Sequence, residues 1–572
     1  MVSDARALAT WLAARGDAAL AETLAARGVS PQIGWHDFFD AAEGLLDPSS
    51  LDRALTRLER RELAALATGT AAPAGAAMRL GLVDDEGHPF GAVADRIALI
   101  ARTRPDAVAA TADLGADPAP ASTVAAAAAA ERAFTTAGSL ADVLLACLHS
   151  PLARTGAGSV SAVDRRRLAE TGAIAAVDDL EDLLASAAAA RLAVAHDREW
   201  VVTTAGETWL ETSTPGRWTA IADGFRAGLP SGIRTPDGGF VAPALWRDAY
   251  PLDDEWPARA DRLRRIGVLW GLFGADGAEF AWTTALRTGA PADAATMAPH
   301  LPAEIDRVYL QADLTAIAPG PLAPALDLRL RSVAVRESRA QASTYRFTAA
   351  SLGAGMTEGE TAASVREFLS ELSLTGIPQP LDYLIESTAA RHGLVRVRGD
   401  GTTGRTRVES PDMSLLDAIA IDQALRPLGL VSEGRDLVTR VARDAVYWSL
   451  ADARYPVVAL GESGAPESVH RRTTAVTSEP NATPAETYSR LIETLRGGHG
   501  TEGEAGWLER ELEQAVRGRS EIIVVVRMPD GAERSFTLEA SGLGGGRLRG
   551  RDRAADIERT LPVSSIVSVH SA

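Results

Sequence analysis

The sequence predicts an α+β, multi-domain protein: helix-rich units first, then a central α/β domain, then a small β-barrel. Three observations predict it. The chain has 572 residues. At roughly 100–200 residues per domain this is enough for three to five. Apolar stripes at helical spacing recur, each followed by a short apolar segment, a tight polar turn and a second apolar segment. After residue 505 the pattern changes to short strand-like runs broken by glycine.

The helix-rich plan is clearest at 161–205. Ser161 to Glu170 reads as a helix, and Asp178-Asp179-Leu180-Glu181 reads as an acidic helix start, with Asp178 and Glu181 spaced for a capping box. A helix from Leu180 to Ala190 follows. Arg191–Ala195, the turn His196-Asp197-Arg198 and Glu199–Thr203 then read as a hairpin. Helix, turn, helix, hairpin is a winged-helix plan. A second candidate covers 51–90, with the stripe Leu51, Leu55, Leu58, Leu63, Leu66 and a turn at Asp84-Asp85-Glu86-Gly87. A third covers 258–283, turning at Gly274-Ala275-Asp276-Gly277. In the clearest unit the would-be recognition helix opens with Asp178, Asp179, Glu181 and Asp182, which phosphates repel. Domain packing or protein contact is the expectation there. Arg165, Arg166 and Arg167 are either a backbone contact or a solvated face.

Two compositional breaks, Ala112 to Ala130 and Gly461 to Glu486, read as linkers or exposed loops. The expected division is a helical, winged-helix-like region at 1–111, winged-helix-like units at 131–300, a central domain at 301–460, a linker at 461–504 and a C-terminal domain at 505–572.

The central segment opens with a strand-like run, Arg307 to Ile317, ended by Pro319-Gly320-Pro321. A basic helix is expected over Leu326 to Arg339, then a strand at Tyr345–Thr348, helices at Thr361–Ser373 and up to Arg391, and a strand at Leu394–Arg398. Five arginines face two acids over 324–347, a local charge of +3 in a chain of −18. A guanidinium fork bonds two phosphate oxygens at once, so Arg339 and Arg346 are candidates for a nucleic-acid backbone. The competing reading pairs Arg339 with Glu337 or another carboxylate of the domain. Tyr345 and Phe347 share one strand face and are either core or a base-stacking pair.

At the C-terminus, a helix over Trp507–Ala515 precedes the strand Glu521–Arg527, the turn signal Asp530-Gly531, the run Arg534–Glu539, a glycine-rich stretch leading into Arg547–Arg551, and Ser564–Val569. Short strands with glycine turns suggest a strongly bent barrel. From Val516 to Ala572 nine arginines face seven acids, whereas the rest of the chain carries −20. Arg547, Arg549 and Arg551 alternate and so share one strand face, either as a phosphate or single-strand contact or as a charged edge that blocks aggregation. Arg527 and Arg534 complete the candidate nucleic-acid-binding set.

Composition removes whole classes of chemistry. All 58 basic residues are arginine; lysine is absent. No P-loop, protein-kinase or Schiff-base site can be built without it. The one cysteine, Cys147, lies in an apolar run and reads as a buried small hydrophobe. It allows no internal disulfide, and a cytoplasmic protein is expected, with no signal peptide and no membrane span. No metal framework, nucleophile–base pair or cofactor motif is found, so a non-enzymatic protein without cofactors is expected.

Several motifs together resemble a known family. Gln311-Ala312-Asp313-Leu314-Thr315, Pro319-Gly320-Pro321-Leu322, Glu337-Ser338-Arg339, Tyr345-Arg346-Phe347, Ser351-Leu352, and Ile377-Pro378-Gln379-Pro380-Leu381 through Arg391-His392-Gly393 look like the helicase-associated, XPB-type N-terminal domain found in large non-motor proteins of actinobacteria. The C-terminal residues Gly546-Arg547-Leu548-Arg549-Gly550-Arg551-Asp552 and Leu561–Ile566 are similar to a WYL domain, an SH3/Sm-like ligand-sensing barrel. The Trp-Tyr-Leu tripeptide itself is missing; Arg547-Leu548-Arg549 stands near its place. The resemblance implies an accessory protein near DNA repair or processing. Its expected partners are DNA, single-stranded or forked, and an XPB-type helicase. The alternative is a transcriptional or ligand-responsive regulator that uses the C-terminal domain as its sensor.

Overall fold

The computed structural model describes residues 2–70, 75–110, 118–174, 176–339, 342–401, 404–461, 464, 466–467, 482–499, 504–529, 531–553 and 555–571. Helix makes up 52% and strand 19%, with the strands in several small sheets, which is α+β. The chain forms two units. One joins Ala119–Gly228 to Arg265–Ser478; the other joins Met1–Pro118, Leu229–Arg264 and Glu479–Ala572.

The first unit begins with a long helix, Thr123–His149, capped by the Ser122 hydroxyl accepting from Ala125 N. Part of it was expected to be a linker. Its alanine run is the best helix-forming sequence there is, and Ser122 supplies the cap. Next come β1 (Leu152–Ala153), a helix at Ala162–Glu170, a helix at Leu180–Ala189, and the hairpin of β2 (Ala193–His196) and β3 (Glu199–Val202). The sheet order is β1-β3-β2, all antiparallel. The capping box expected at Asp178–Glu181 is not made. The Glu181 carboxylate instead accepts from Val160 N at 2.8 Å and ties the helix start to the preceding loop. The indole N–H groups of Trp218, Trp270 and Trp282 donate to Trp270 O, Ser186 Oγ and Gly271 O, so these buried rings leave no orphan donor. Cys147 is buried and donates to Trp200 O at 3.0 Å, and burial pushes its thiol up to about 11.

At Gly206 a Cβ would lie 2.1 Å from Leu192 O. Gly206→Ala must therefore part the helix Thr204–Glu211 from the chain entering β2. A loss of about 2 kcal/mol in denaturant unfolding is expected, and an unchanged midpoint would contradict this packing. At 51–90 and 258–283 the expected hairpins are reduced to single bridges, Val83 with Pro89 and Phe273 with Glu279.

The central residues form two modules with separate cores. The run expected as one strand is two: β4 (Tyr309–Leu310) and β5 (Thr315–Ala318) pair antiparallel across a turn where Leu314 takes φ 67°. The basic helix is shorter than expected, Pro324–Val333, and its tail becomes β6 (Val335–Arg339), which pairs with β7 (Ser343–Arg346). The β-branched Val333 and Val335 flank the break. The order is β4-β5-β7-β6. Helices Ala349–Thr357, Ala362–Leu372 and Gln379–Arg391 complete this module. The second contains β8 (Val395–Asp400), β9 (Arg405–Glu409), a helix at Met413–Ile421, a 3-10 helix at Gln423–Leu428, β10 (Val431–Glu433), β11 (Asp436–Thr439), a helix at Arg443–Asp452, β12 (Val457–Leu460) and β13 (Pro466–Glu467). Its order is β10-β11-β9-β8-β12-β13, with β8 and β12 parallel.

In the second unit the N-terminal helices bury Leu8, Leu20, Leu24, Phe38 and Leu55. Residues 484–499 lie inside the stretch expected as a linker, yet Pro484–His499 is a helix of this same core. Tyr488, Leu491, Ile492 and Leu495 are buried against it, and Tyr488 Oη donates to Val29 O at 2.6 Å. Their spacing of three and four residues is a helical stripe. Residues 468–481 lie outside the described residues. After the helix Glu504–Gly518 come β14 (Glu521–Arg527), β15 (Glu533–Gly544), β16 (Arg547–Asp552), β17 (Ile557–Pro562) and β18 (Ile566–Ser571). The Asp530 turn residue lies outside the described residues. The order β17-β16-β15-β14-β18 makes a five-stranded antiparallel sheet with β17 and β18 as its edges. The 3-10 turn Val563–Ser565 between them carries the chain from one edge to the other.

Candidate nucleic-acid interface

Arg331 and Arg336 of the central module turn inward. Arg331 Nη1 lies 2.7 Å from Asp142 Oδ1, and Arg336 bonds the other oxygen of the same carboxylate. Asp142 comes from the long helix Thr123–His149 and its side chain is 4% exposed. Asp327 sits 3.6 Å from Arg331 and accepts the Tyr345 hydroxyl at 2.5 Å. Burial, then the Asp327 carboxylate, raises the phenol well above its ordinary range. Arg329 forms a two-point pair with Glu360 and lies over the Phe368 ring, 4.5 Å from its centroid.

Arg346 forks onto Glu337 across the β6–β7 pair, Nη2 to Oε2 at 3.1 Å. Its charge is met by a neighbour, and the Glu337 carboxylate faces Arg346. The backbone of Arg339 pairs with Ser343; its side chain lies outside the described residues. Tyr345 and Phe347 are each 1% exposed, which places them in the core and overturns the base-stacking alternative.

The helix Leu180–Ala189 is also enclosed. Leu180, Asp182, Leu183, Leu184, Ser186 and Ala187 are buried. Asp182 accepts from Arg265 Nε at 2.7 Å, and Ser186 accepts from Trp270. A helix buried on these faces cannot enter a groove. Arg167 pairs with Asp164 at 3.0 Å; Arg165 and Arg166 have no ion-pair partner among the described residues.

The C-terminal sheet sorts its arginines by register. On β16 the exposed residues Arg547, Arg549 and Arg551 alternate with buried Leu548, Gly550 and Asp552, so the three share the outer face. Arg551 stands between Glu539 of β15 and Glu558 of β17 and bonds Asp556 at 2.6 Å. Arg549 stands between Gly542 and Thr560, and Arg547 between Gly544 and Pro562. No carboxylate is in register with either, and neither has an ion-pair partner among the described residues. Strand rise sets them about 6.7 Å apart. Arg527 shares the outer face but pairs with Glu533 at 3.1 Å. Arg534 is exposed and alternates with Ser535, so it belongs to the opposite face. The sheet thus brings Arg547 and Arg549 together as open cations and sets the other three apart.

Residues 308–433 match the family model described as the helicase conserved C-terminal domain. The match covers less than a quarter of the chain and takes in the motifs from Gln311 to Gly393. The match supports a helicase-associated protein. No curated protein matches the chain. Among the described residues no cluster of His, Cys, Asp or Glu is placed to hold a metal, and no helix is long and apolar enough to cross a membrane.

Proposed function

We propose that this is a non-catalytic, helicase-associated protein that binds nucleic acid, single-stranded or forked, in company with a helicase of the XPB type in DNA repair or processing. The observation that carries it is the helicase-family match over 308–433 in a chain without lysine. A further feature supports the motor-less part. The sheet inside the match, β4-β5-β7-β6, pairs antiparallel throughout. Nucleotide-binding motors use parallel, doubly wound sheets with a phosphate loop at a helix start. The binding part rests on Arg547 and Arg549, open on a strand whose two-residue repeat fits successive phosphates.

Binding of labelled single-stranded, forked and duplex DNA between about 50 and 200 mM salt tests this directly. Affinity is expected to fall with salt, and R547Q/R549Q to flatten the log–log slope by about 2. R551Q should change it far less, because Asp556 already holds that side chain. No binding of any form at the lowest salt would sink the nucleic-acid reading. DNA-stimulated ATP hydrolysis would sink the motor-less one.

A further inference from the structure

The plan read at 161–205 occurs twice among the described residues, and the second copy has only its hairpin turn as a local sequence signal. In the first copy β1 is followed by two helices and the β2–β3 hairpin, in the order β1-β3-β2. In the second, β9 is followed by the helix Met413–Ile421, the 3-10 helix Gln423–Leu428 and the β10–β11 hairpin. There the order is β9-β11-β10, and the first strand again pairs antiparallel with the third.

The two copies differ in what their second helix exposes. In the first it is buried and opens with carboxylates. In the second only Leu425 and Leu428 are buried, while Gln423, Ala424, Arg426 and Pro427 are exposed. Arg435, at the hairpin tip, and Arg440, just past β11, are exposed as well. Arg426, Arg435 and Arg440 have no ion-pair partner among the described residues.

The neighbouring acids are engaged elsewhere. Glu433 meets Arg405 at 3.2 Å and Asp436 meets Arg407 at 2.9 Å. Asp422 accepts from Ala424 N and from the Tyr455 hydroxyl, and Asp412 from Ser414. Asp417 remains as an exposed carboxylate of the first helix. Ile421 and Val431 bracket the short helix and are 80% and 63% exposed, which a merely solvated face would not favour.

We propose that residues 405–440 form a second nucleic-acid contact, taking duplex DNA: Arg426 from the short helix, and Arg435 and Arg440 from and behind the hairpin, meet its phosphates. Ile421 and Val431 supply apolar contact to the duplex. The inference takes its ligand class from the nucleic-acid reading above but uses residues independent of Arg547 and Arg549. It predicts that the enclosed first copy is scaffold and the open second copy is the binding one.

The test is duplex binding by the full chain across the same salt series, with R426Q/R435Q/R440Q, R426K/R435K/R440K and R547Q/R549Q compared. The glutamine triple variant should lose about tenfold or more in duplex affinity at low salt and flatten the slope by about 2–3. The lysine variant, which keeps the charge, should retain the slope. Because these side chains are exposed, the melting temperature should not move; if the triple variant fails to fold, Arg435→Gln alone should flatten the slope by about 1. Duplex binding unchanged in the glutamine variants overturns this site, and does so without touching the wider reading if R547Q/R549Q still weakens binding. Absence of binding by the native chain overturns both.

Discussion

Asp142→Ala should lower the stability of its unit by about 3–5 kcal/mol. The carboxylate is 4% exposed and bonds Arg331 and Arg336, which are themselves 22% and 17% exposed. Removing it leaves two half-buried guanidinia with Asp327, at 3.6 and 3.9 Å, as their remaining ion-pair partner among the described residues. The desolvation of these charges is then left uncompensated. Denaturant unfolding measures the loss. Replacing all three groups with apolar residues of similar size should recover most of it, since a paired buried charge and a packed hydrocarbon differ little in net energy. A loss below about 1 kcal/mol for Asp142→Ala would mean that water reaches the cluster and screens it.

That cluster also explains what the sequence could and could not show. The local charge of +3 over 324–347 is real, but charge counted along a segment ignores partners brought in by the fold. Asp142 is nearly two hundred residues upstream, in an alanine-rich helix that gives no sign of being acidic where it matters. Arg346 was different. Its partner Glu337 is nine residues away, and the two would have been placed on neighbouring strands had β6 been read as a strand rather than the end of a helix. On β16 the alternation of arginine with Leu548 and Gly550 was enough to put three arginines on one face. Which of them stays open depended on β17, whose run Ile557-Glu558-Arg559-Thr560 has too weak an apolar alternation to announce a strand. The second strand–helix–helix–hairpin unit had one local signal, Glu433-Gly434-Arg435 between two short runs, a hairpin turn with Gly434 at φ 69°. The helix Pro484–His499 had a full apolar stripe, hidden only by the polar stretch before it. Elements set by local periodicity were legible; pairings set by long-range contact were not.

The stability of the other unit should fall as pH rises from about 4.5 to about 7, against the trend most carboxylates produce. The helix Glu504–Gly518 buries Glu511 to 1% exposure, with Arg6 of the N-terminal helix 3.6 Å from one oxygen and no hydrogen-bond partner for the other. Burial pushes the carboxyl up to about 7 from 4.5, and Arg6 only partly offsets it. In the unfolded chain the proton leaves near 4.5, whereas in the folded chain it is held until about 7. Folding therefore takes up a proton between these values. The side chain costs nothing below the lower one, and its full penalty of about 3 kcal/mol is reached above the upper. Glu43, also raised by burial and faced by Arg517, Arg510, Asp37 and Asp40, adds to the same trend. Glu511→Gln removes the ionisation while keeping the shape. The informative quantity is the difference in unfolding free energy between variant and native chain, because it cancels every other titrating group. It should be near zero below about pH 4 and rise to about 3 kcal/mol in favour of the variant at about pH 8. A difference that is flat with pH, or that favours the native chain at pH 8, would show that the Arg6 pair outweighs the burial of Glu511, and that the C-terminal helix is held to the N-terminal one by an ion pair instead of in spite of a buried acid.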